Sequence, residues 1–314
     1  ENGIYGKTGV DGFYMSDIYL SGDFRLDFDL RMLSGNAFGV VFNAQSQNAP
    51  GSAAYVVNLD LSDSVYGNQF RWFEFPWGSV GDVAVNRFSN SFKPAYNVTY
   101  PVTLSVIDGK MTFIVDGQVI FENATDGDGT YRYTNGYIGF MGCLSDFIVN
   151  NVRLQTPAAL EDITLSSGAL TPSFNAATNS YTATVKGDVD SITLTPSASL
   201  GATITVNGAA VKSDEASKPI ALNVGDNTIT VKVAAFDGEK TYTVKITRAH
   251  QKGDASGDNK VTITDLLAIK SHLLNKKLLS DEECLRADTN GDGAVTITDF
   301  LRVKSFLLGK TTLD

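Results

Sequence analysis

Asp254-Ala-Ser-Gly-Asp-Asn-Lys-Val-Thr-Ile-Thr-Asp265 is followed by Asp288-Thr-Asn-Gly-Asp-Gly-Ala-Val-Thr-Ile-Thr-Asp299, and the two stretches are copies of one acidic pattern. Oxygen-bearing side chains fall at positions one, three, five, nine and twelve of each copy. That is the spacing by which a twelve-residue loop wraps calcium, with the position-seven backbone carbonyl as a further ligand. The first copy offers Asp254, Ser256, Asp258, the carbonyl of Lys260, Thr262 through water and Asp265; the second offers Asp288, Asn290, Asp292, the carbonyl of Ala294, Thr296 and Asp299. Position six must turn sharply with positive φ, which Gly293 does freely and Asn259 tolerates. Val261 and Val295, at position eight, are placed to pair the loops through a short β-bridge. A single copy would leave a solvated acidic turn as the plain alternative; two matching copies favour two bound calcium ions.

The flanks set this module apart from an ordinary EF-hand, which has a helix on both sides of its loop. Residues 242–246 alternate like a strand and run into a polar linker, so no helix enters the first loop. A helix follows each loop: Leu266, Leu267, Ile269, Leu273 and Leu274 form one apolar stripe, and Phe300, Leu301, Val303, Phe306 and Leu307 the other. Ser280 and Glu283 read as a capping box for a short middle helix. Position twelve is Asp where calcium sensors carry Glu. The duplicated loop, the exiting helices and the terminal Asp over about sixty residues resemble a type I dockerin, the module that plugs secreted proteins into cohesin modules of a scaffold. The resemblance implies a C-terminal module at 251–314, two calcium ions as cofactors, a cohesin as partner, and a secreted, extracellular or cell-surface location in a cellulosome-type complex. It also implies that the cohesin is read by Ile263, Thr264, Lys270 and Ser271, or equally by Ile297, Thr298, Lys304 and Ser305. The two sets are identical in residue type, so two binding orientations are expected; the alternative is that Ile and Thr merely pack the loop.

The chain has 314 residues and a formal net charge of −10. Its length allows two or three domains, and its acidity argues against nucleic acid. No 20-residue apolar run and no basic amphipathic stretch is present, so no membrane partner is expected. Glu1 opens within a strand-like pattern rather than at an initiator Met, as expected of an excised or processed part of something longer. Cys143 and Cys284 lie in different expected modules without C-x-x-C spacing and read as free, buried thiols.

Residues 157–250 read as a second module: from Thr164 to Arg248 the sequence is rich in Thr and Val, with short alternating runs at 181–185, 191–196, 203–206, 228–233 and 241–246. Turn signals at Asn207-Gly208 and Asp237-Gly238 mark hairpins, and the whole reads as a β-sandwich. Leu170-Thr-Pro-Ser-Phe-Asn175, Tyr181, Val206-Asn-Gly208, Asn223-Val-Gly-Asp-Asn-Thr228 and the closing Thr241-Tyr-Thr-Val-Lys-Ile-Thr-Arg248 resemble the immunoglobulin/cadherin-like bacterial β-sandwich family. That resemblance implies a spacer, and no site is assigned to it.

Residues 1–156 hold nearly all the aromatics and both tryptophans. In the run 24–30, Phe24, Leu26, Phe28 and Leu30 take one face and Arg25, Asp27 and Asp29 the other. The same alternation in 39–43 and 55–60 would leave Asn43, Asn58 and Asp60 on a polar face. D-G turns at Asp108 and Asp116 join three strands into a meander. Gly22-Asp-Phe-Arg-Leu-Asp-Phe-Asp-Leu30, the run 102–117 and Gly136-Tyr-Ile-Gly-Phe140 resemble concanavalin-like, laminin-G-like jelly rolls, close to the modules appended to fructan-degrading enzymes. Fructan-binding members imply an acid at Asp27, an Arg where this chain has Asn43, and an acid near Asp60; Asn43 departs from that pattern, leaving a generic glycan site. Phe70-Arg-Trp-Phe-Glu-Phe-Pro-Trp77 adds Arg71, Trp72 and Trp77 as candidates, since sugar C–H faces stack on aromatic rings and hydroxyls pair with Arg, Asp and Asn.

Histidine catalysis is excluded from the first 249 residues, because His250 and His272 are the only histidines. Asp27, Asp29, Asp60 and Glu74 could supply a carboxylate pair, yet the E-x-D-x-x-E strand of concanavalin-like hydrolases is absent. The expectation is a mainly β, multidomain, non-catalytic tail: a jelly roll that binds a polysaccharide, a sandwich spacer and a calcium-folded α-helical loop pair. For the jelly roll, protein adhesion, a structural role and a glycoside-active domain stand as alternatives.

Overall fold

The computed structural model describes residues 3–9, 12–50, 53–61, 69–75, 87–89, 92, 94–125 and 132–313. The chain divides into two compact units, Glu1–Pro157 and Ala158–Asp314.

The strands of the first unit are β1 (Ile4–Lys7), β2 (Gly12–Ser21), β3 (Phe24–Ser34), β4 (Ala37–Ala44), β5 (Ala54–Asp60), β6 (Gln69–Phe75), β7 (Arg87–Ser89), β8 (Thr99–Ile107), β9 (Lys110–Val115), β10 (Gln118–Ala124), β11 (Asn135–Cys143) and β12 (Asp146–Gln155). Among the described residues they form two antiparallel sheets, β1-β12-β3-β8-β9-β10 and β2-β11-β4-β5-β6-β7, the two layers of a jelly-roll sandwich. The sheets meet over one aromatic core that includes Phe24, Phe28, Phe38, Phe42, Tyr55, Trp72 and Phe147. Strand β3 alternates as its sequence demands, Phe24, Leu26, Phe28 and Leu30 buried and Arg25, Asp27 and Asp29 half-exposed. Asp108 and Asp116 both take positive φ, as do Gly109 and Gly117 after them. These are two-residue turns whose twist suits a hairpin, and they join β8 to β9 and β9 to β10.

Strands β4 and β5 depart from expectation, for every residue in them is buried. Val40 and Phe42 face the main core, while Val41, Ala44, Ala54 and Val56 join Phe73 and Met141 in a second apolar cluster on the far face. A strand covered on both sides needs no polar alternation, so Asn43, Asn58 and Asp60 are buried rather than displayed.

The second unit begins with β13 (Leu160–Leu165), β14 (Ser180–Val185), β15 (Ser191–Ile192), β16 (Leu194–Ala198), β17 (Thr203–Val206), β18 (Ala209–Val211), β19 (Ile220–Ala221), β20 (Gly225–Ala235) and β21 (Gly238–Arg248). The main sheet runs β14-β21-β20-β17-β18. The run expected as one strand at 191–196 is broken into β15 and β16, which pair with different partners. Asn207-Gly208 closes the hairpin of β17 with β18, and Asp237 lies in the turn before Gly238, which opens β21. Tyr181 and Tyr242 are core residues, and Phe174 stacks on Tyr181 with ring centroids 5.6 Å apart.

Three helices follow, α1 (Ile263–Leu273), α2 (Asp281–Ala287) and α3 (Ile297–Leu307). Their own small core is Ala255, Leu266, Ile269, Ala287, Val303 and Leu313. Strand β21 leads into the first acidic loop with little slack. Arg248 is buried and donates to the carbonyls of Gly187 (3.0 and 2.6 Å) and Leu222 (2.8 Å). The Ala249 N–H donates to the Val185 carbonyl at 3.0 Å. No helix among the described residues is long and apolar enough to cross a membrane.

Candidate metal centre

In the loop 254–265 the chain folds back on its own first carboxylate. Asp254 Oδ1 accepts the Gly257 and Asp258 N–H groups (2.7 and 3.1 Å) and the Ser256 hydroxyl (3.1 Å), while Oδ2 accepts Asn259 N–H (2.7 Å). Such side-chain-to-backbone bonds are what a short Asp offers a turn. Asn259 takes φ +62° and Gly293 φ +87°, the sharp position-six turn that the sequence requires. At the far end Asp265 accepts Ser256 N–H (2.8 Å), Thr262 N–H (2.8 Å) and the Thr262 hydroxyl (3.0 Å). Ligand atoms of Asp254, Asp258 and Asp265 lie within 4.8 Å of one another. Three carboxylates so placed, with a serine hydroxyl beside them, form the hard oxygen set that suits calcium.

The second loop repeats the outline with other details. Asp288 accepts Gly291 and Gly293 N–H, each at 2.7 Å, and Asp299 accepts Thr289 N–H (2.9 Å), Thr296 N–H (2.9 Å) and the Thr296 hydroxyl (3.0 Å). Asn290 and Asp292 bond each other, Asn290 Nδ2 to Asp292 Oδ2 at 2.8 Å and Asp292 N–H to Asn290 Oδ1 at 3.1 Å. Among the described residues Asp288, Asp292 and Asp299 do not converge as the first three do. Lys260 and Ala294 each donate their N–H to the position-five carboxylate, at 2.9 and 3.0 Å.

Thr262 and Thr296 carry a second duty: each N-caps the helix that follows, in a capping box completed by Asp265 or Asp299. One carboxylate thus closes the loop and starts the helix. Burial pushes the Asp265 carboxyl up, but the N–H and hydroxyl bonds from Ser256 and Thr262 outweigh it and hold the group below the usual carboxylate range. Asp299 is lowered by the same contest, with Thr296 and Thr289 as donors. The expected bridge between Val261 and Val295 does not form among the described residues; both side chains pack on the helical core instead.

The helix stripes are narrower than the sequence implies. Leu266, Ile269 and Val303 are buried, whereas Leu267, Leu274 and Leu301 are exposed. They join Ile263 and Ile297 on a surface that also carries Thr264, Thr298, Lys270 and Lys304, with Ser271 and Ser305 half-exposed. Matching positions are equally open: Ile263 60% and Ile297 61%, Leu267 53% and Leu301 50%, Leu274 54% and Leu308 59%. Cys143 and Cys284 are free and half-buried rather than buried.

The glycan candidates do not form one site. Asp27 lies on β3 and Asn43, Asp60 and Arg71 on β4, β5 and β6, in different sheets. Asp27 lies on the face of its sheet turned away from the shared core, and Asp60 and Arg71 on the outer face of the other sheet, so Asp27 and these two point apart. Asn43 stands at positive φ between Phe42 of the main core and Ala44 of the second cluster. Asp27 is held by Arg25, with Nε to Oδ2 at 2.9 Å and Nη2 to Oδ1 at 2.9 Å, and by the Thr103 hydroxyl at 2.6 Å. Asn43 donates to the Tyr133 carbonyl at 2.8 Å. Arg71 bonds Asn58 (3.3 Å), pairs with Asp60 (3.4 Å) and lies over the Phe73 ring. Trp72 is fully buried in the main core, which removes it from any sugar-stacking role. Trp77 lies outside the described residues. The carboxylates weighed for hydrolysis are likewise tied, Glu74 to Arg132 at 3.0 Å and Asp29 to Asn151 at 2.7 Å.

Comparison with known proteins adds family evidence for the second unit. A curated protein of Evansella cellulosilytica is 37% identical over 93 residues, which are 29% of this chain and 14% of that protein, so the chain spans about a seventh of its length. Two solved structures are similar over about half of the chain: a carbohydrate binding module, CBM66, from Bacillus subtilis (17% identity, 48% of this chain, 86% of that one, TM-score 0.37) and a protein of unknown function with galectin-like fold from Bacillus subtilis (12% identity, 48% and 80%, TM-score 0.38). Residues 160–249 match the model of the cadherin-like beta sandwich domain, and residues 252–308 that of the dockerin type I domain. The acidic loops, their capped exiting helices and these two matches identify the second half of the chain as a cadherin-like sandwich followed by a type I dockerin.

Proposed function

We propose that this chain is the non-catalytic tail of a secreted protein, organised as modules at 1–156, 157–250 and 251–314, and attached by its dockerin to a cohesin of an extracellular scaffold. Calcium held by each loop supplies the positive charge that offsets that loop's three acidic side chains. The observation that carries this reading is the duplicated surface: Ile263, Thr264, Leu267 and Lys270 on α1 recur as Ile297, Thr298, Leu301 and Lys304 on α3, with matching exposure. Large apolar side chains left open at repeated positions fit a partner-binding face better than chance exposure. Titrating the full chain by calorimetry with a panel of type I cohesin modules tests it. Binding in calcium that disappears in chelator is expected. Equal binding in chelator, or no binding to any of the panel with calcium saturating, would sink it.

For the N-terminal sandwich the proposed ligand remains a polysaccharide, but not through the six residues taken together. The burial of Trp72, the bond of Asn43 to the Tyr133 carbonyl and the Asp60–Arg71 pair favour a second reading in which these residues are structural. An array of plant and microbial glycans separates them: retention at millimolar levels supports the first, and none supports the second.

A further inference from the structure

The two loops are copies in sequence but not in surroundings. Arg286, near the end of α2, reaches the first loop and is nine-tenths buried there. Its Nε donates to the Asp254 carbonyl at 3.1 Å and its Nη2 to the Ala255 carbonyl at 3.3 Å. Its own carbonyl accepts Gly253 N–H at 2.7 Å, so main chain and side chain hold the loop entrance from both directions. The guanidinium lies over Gly257, where an added Cβ would stand 3.1 Å from Nη2. Glu282 answers part of its charge at 3.1 Å, which limits its repulsion of a cation in the loop.

Among the described residues nothing comparable reaches the second loop. Among the described residues no side chain donates to the Asp288 or Thr289 carbonyl, and Lys252, the counterpart of Arg286 in the repeat, is exposed. Asp254 is almost wholly buried whereas Asp288 is half-exposed. Asn290 and Asp292, ligand positions three and five, must release each other before both can turn to an ion. In the folded arrangement the first loop is therefore already set for a cation, and the second has rearrangement left to do.

We propose that Arg286 is a positioning residue that preorganises the first loop, so that calcium fills 254–265 before 288–299. Two carbonyls pinned outward by a planar, two-pronged donor leave the Asp254, Asp258 and Asp265 carboxylates directed inward, and a set already assembled loses less freedom on binding. Groups that hold ligands in place typically alter metal affinity about 10- to 100-fold when removed. The inference rests on the calcium reading of the loops but not on cohesin binding.

The test is a titration of the full chain with calcium chloride, followed by amide NMR at Gly257 and Gly291 and by calorimetry. Gly257 should reach its bound position at lower calcium than Gly291. Arg286→Met should weaken the first step about tenfold and bring the two amides together, while Arg286→Lys, which keeps the charge but loses the fork, should fall between. Gly291 saturating first, or both together in the unaltered chain, overturns the inference and needs no variant to be folded. Equal weakening of both steps by Arg286→Met also overturns it. A chain that fills in the expected order yet binds no cohesin would overturn the attachment reading alone.

Discussion

The N-terminal sandwich and the dockerin hold themselves together by different means. In the first, both sheets send aromatic side chains to one core, with Phe24, Phe42, Tyr55, Trp72 and Phe147 all removed from water. In the second, three short helices share a few buried side chains, two of them alanines, and an acidic loop precedes α1 and another α3. Burial of apolar surface is worth about 25 cal/mol per Å², which is ample for the sandwich and meagre for the helices. Small domains of this kind need a staple, and a bound ion that recognises only the folded form is one. One chain thus contains a region with a large aromatic core and another with a small apolar core beside two acidic loops.

The largest effect that could break this comparison is chelation. Removing calcium should abolish the helical circular dichroism of α1, α2 and α3 while the N-terminal melting transition stays in place; unchanged helicity would mean that the loops are stable empty. Core truncation comes next. Phe24→Ala should destabilise the sandwich by about 3–5 kcal/mol without touching the calcium-dependent transition. Ile269→Ala, fully buried in the smaller core, should cost about 2–5 kcal/mol and move only that transition. Denaturant melts in saturating calcium read both, and a shift of both transitions by either change would show one cooperative block. The smallest effect concerns the middle helix. Ser280 and Glu283 cap it reciprocally, and Ser280→Ala should cost about 1 kcal/mol. The N–H and hydroxyl of Ser280 hold the Glu283 carboxyl below its usual range. Because the folded value is depressed, this contribution is full above the unfolded pKa of about 4.3 and fades as pH falls through the folded value. A helix whose stability does not fall between about pH 5 and pH 3 would contradict that sign.

The difference in means also decided what could be read from sequence. Loop chemistry is local: Asp, Gly and Thr at fixed spacing set the turns and gather the carboxylates, so the outline of the loops and the cap at Ser280 were legible before any fold was known. The further use of Asp265 and Asp299 as capping residues was written in the same T-x-x-D spacing and passed unnoticed behind their metal role. Burial in β4 and β5 was not legible, because alternation assumes one wet face and Val41 and Val56 lie in a second apolar cluster. Asn58 and Asp60 looked like display positions, yet Arg71 from the neighbouring strand satisfies them inside. Leu267 and Leu301 looked like core because hydrophobic periodicity alone cannot tell an apolar face turned inward from one left exposed. Arg286 left only a faint signal, an arginine in a seven-residue helix, and what it holds lies thirty-two residues back along the chain.

The most direct test of the account is a cohesin titration in calcium with one face altered at a time. If α1 and α3 are alternative faces, Ile263→Ala with Thr264→Ala, or Ile297→Ala with Thr298→Ala, should leave affinity within about threefold. All four changes together should weaken it by more than about a hundredfold, since loss of a few central contacts governs an interface. Abolition of binding by either pair alone, with the helices intact in calcium, would show a single face and contradict the account.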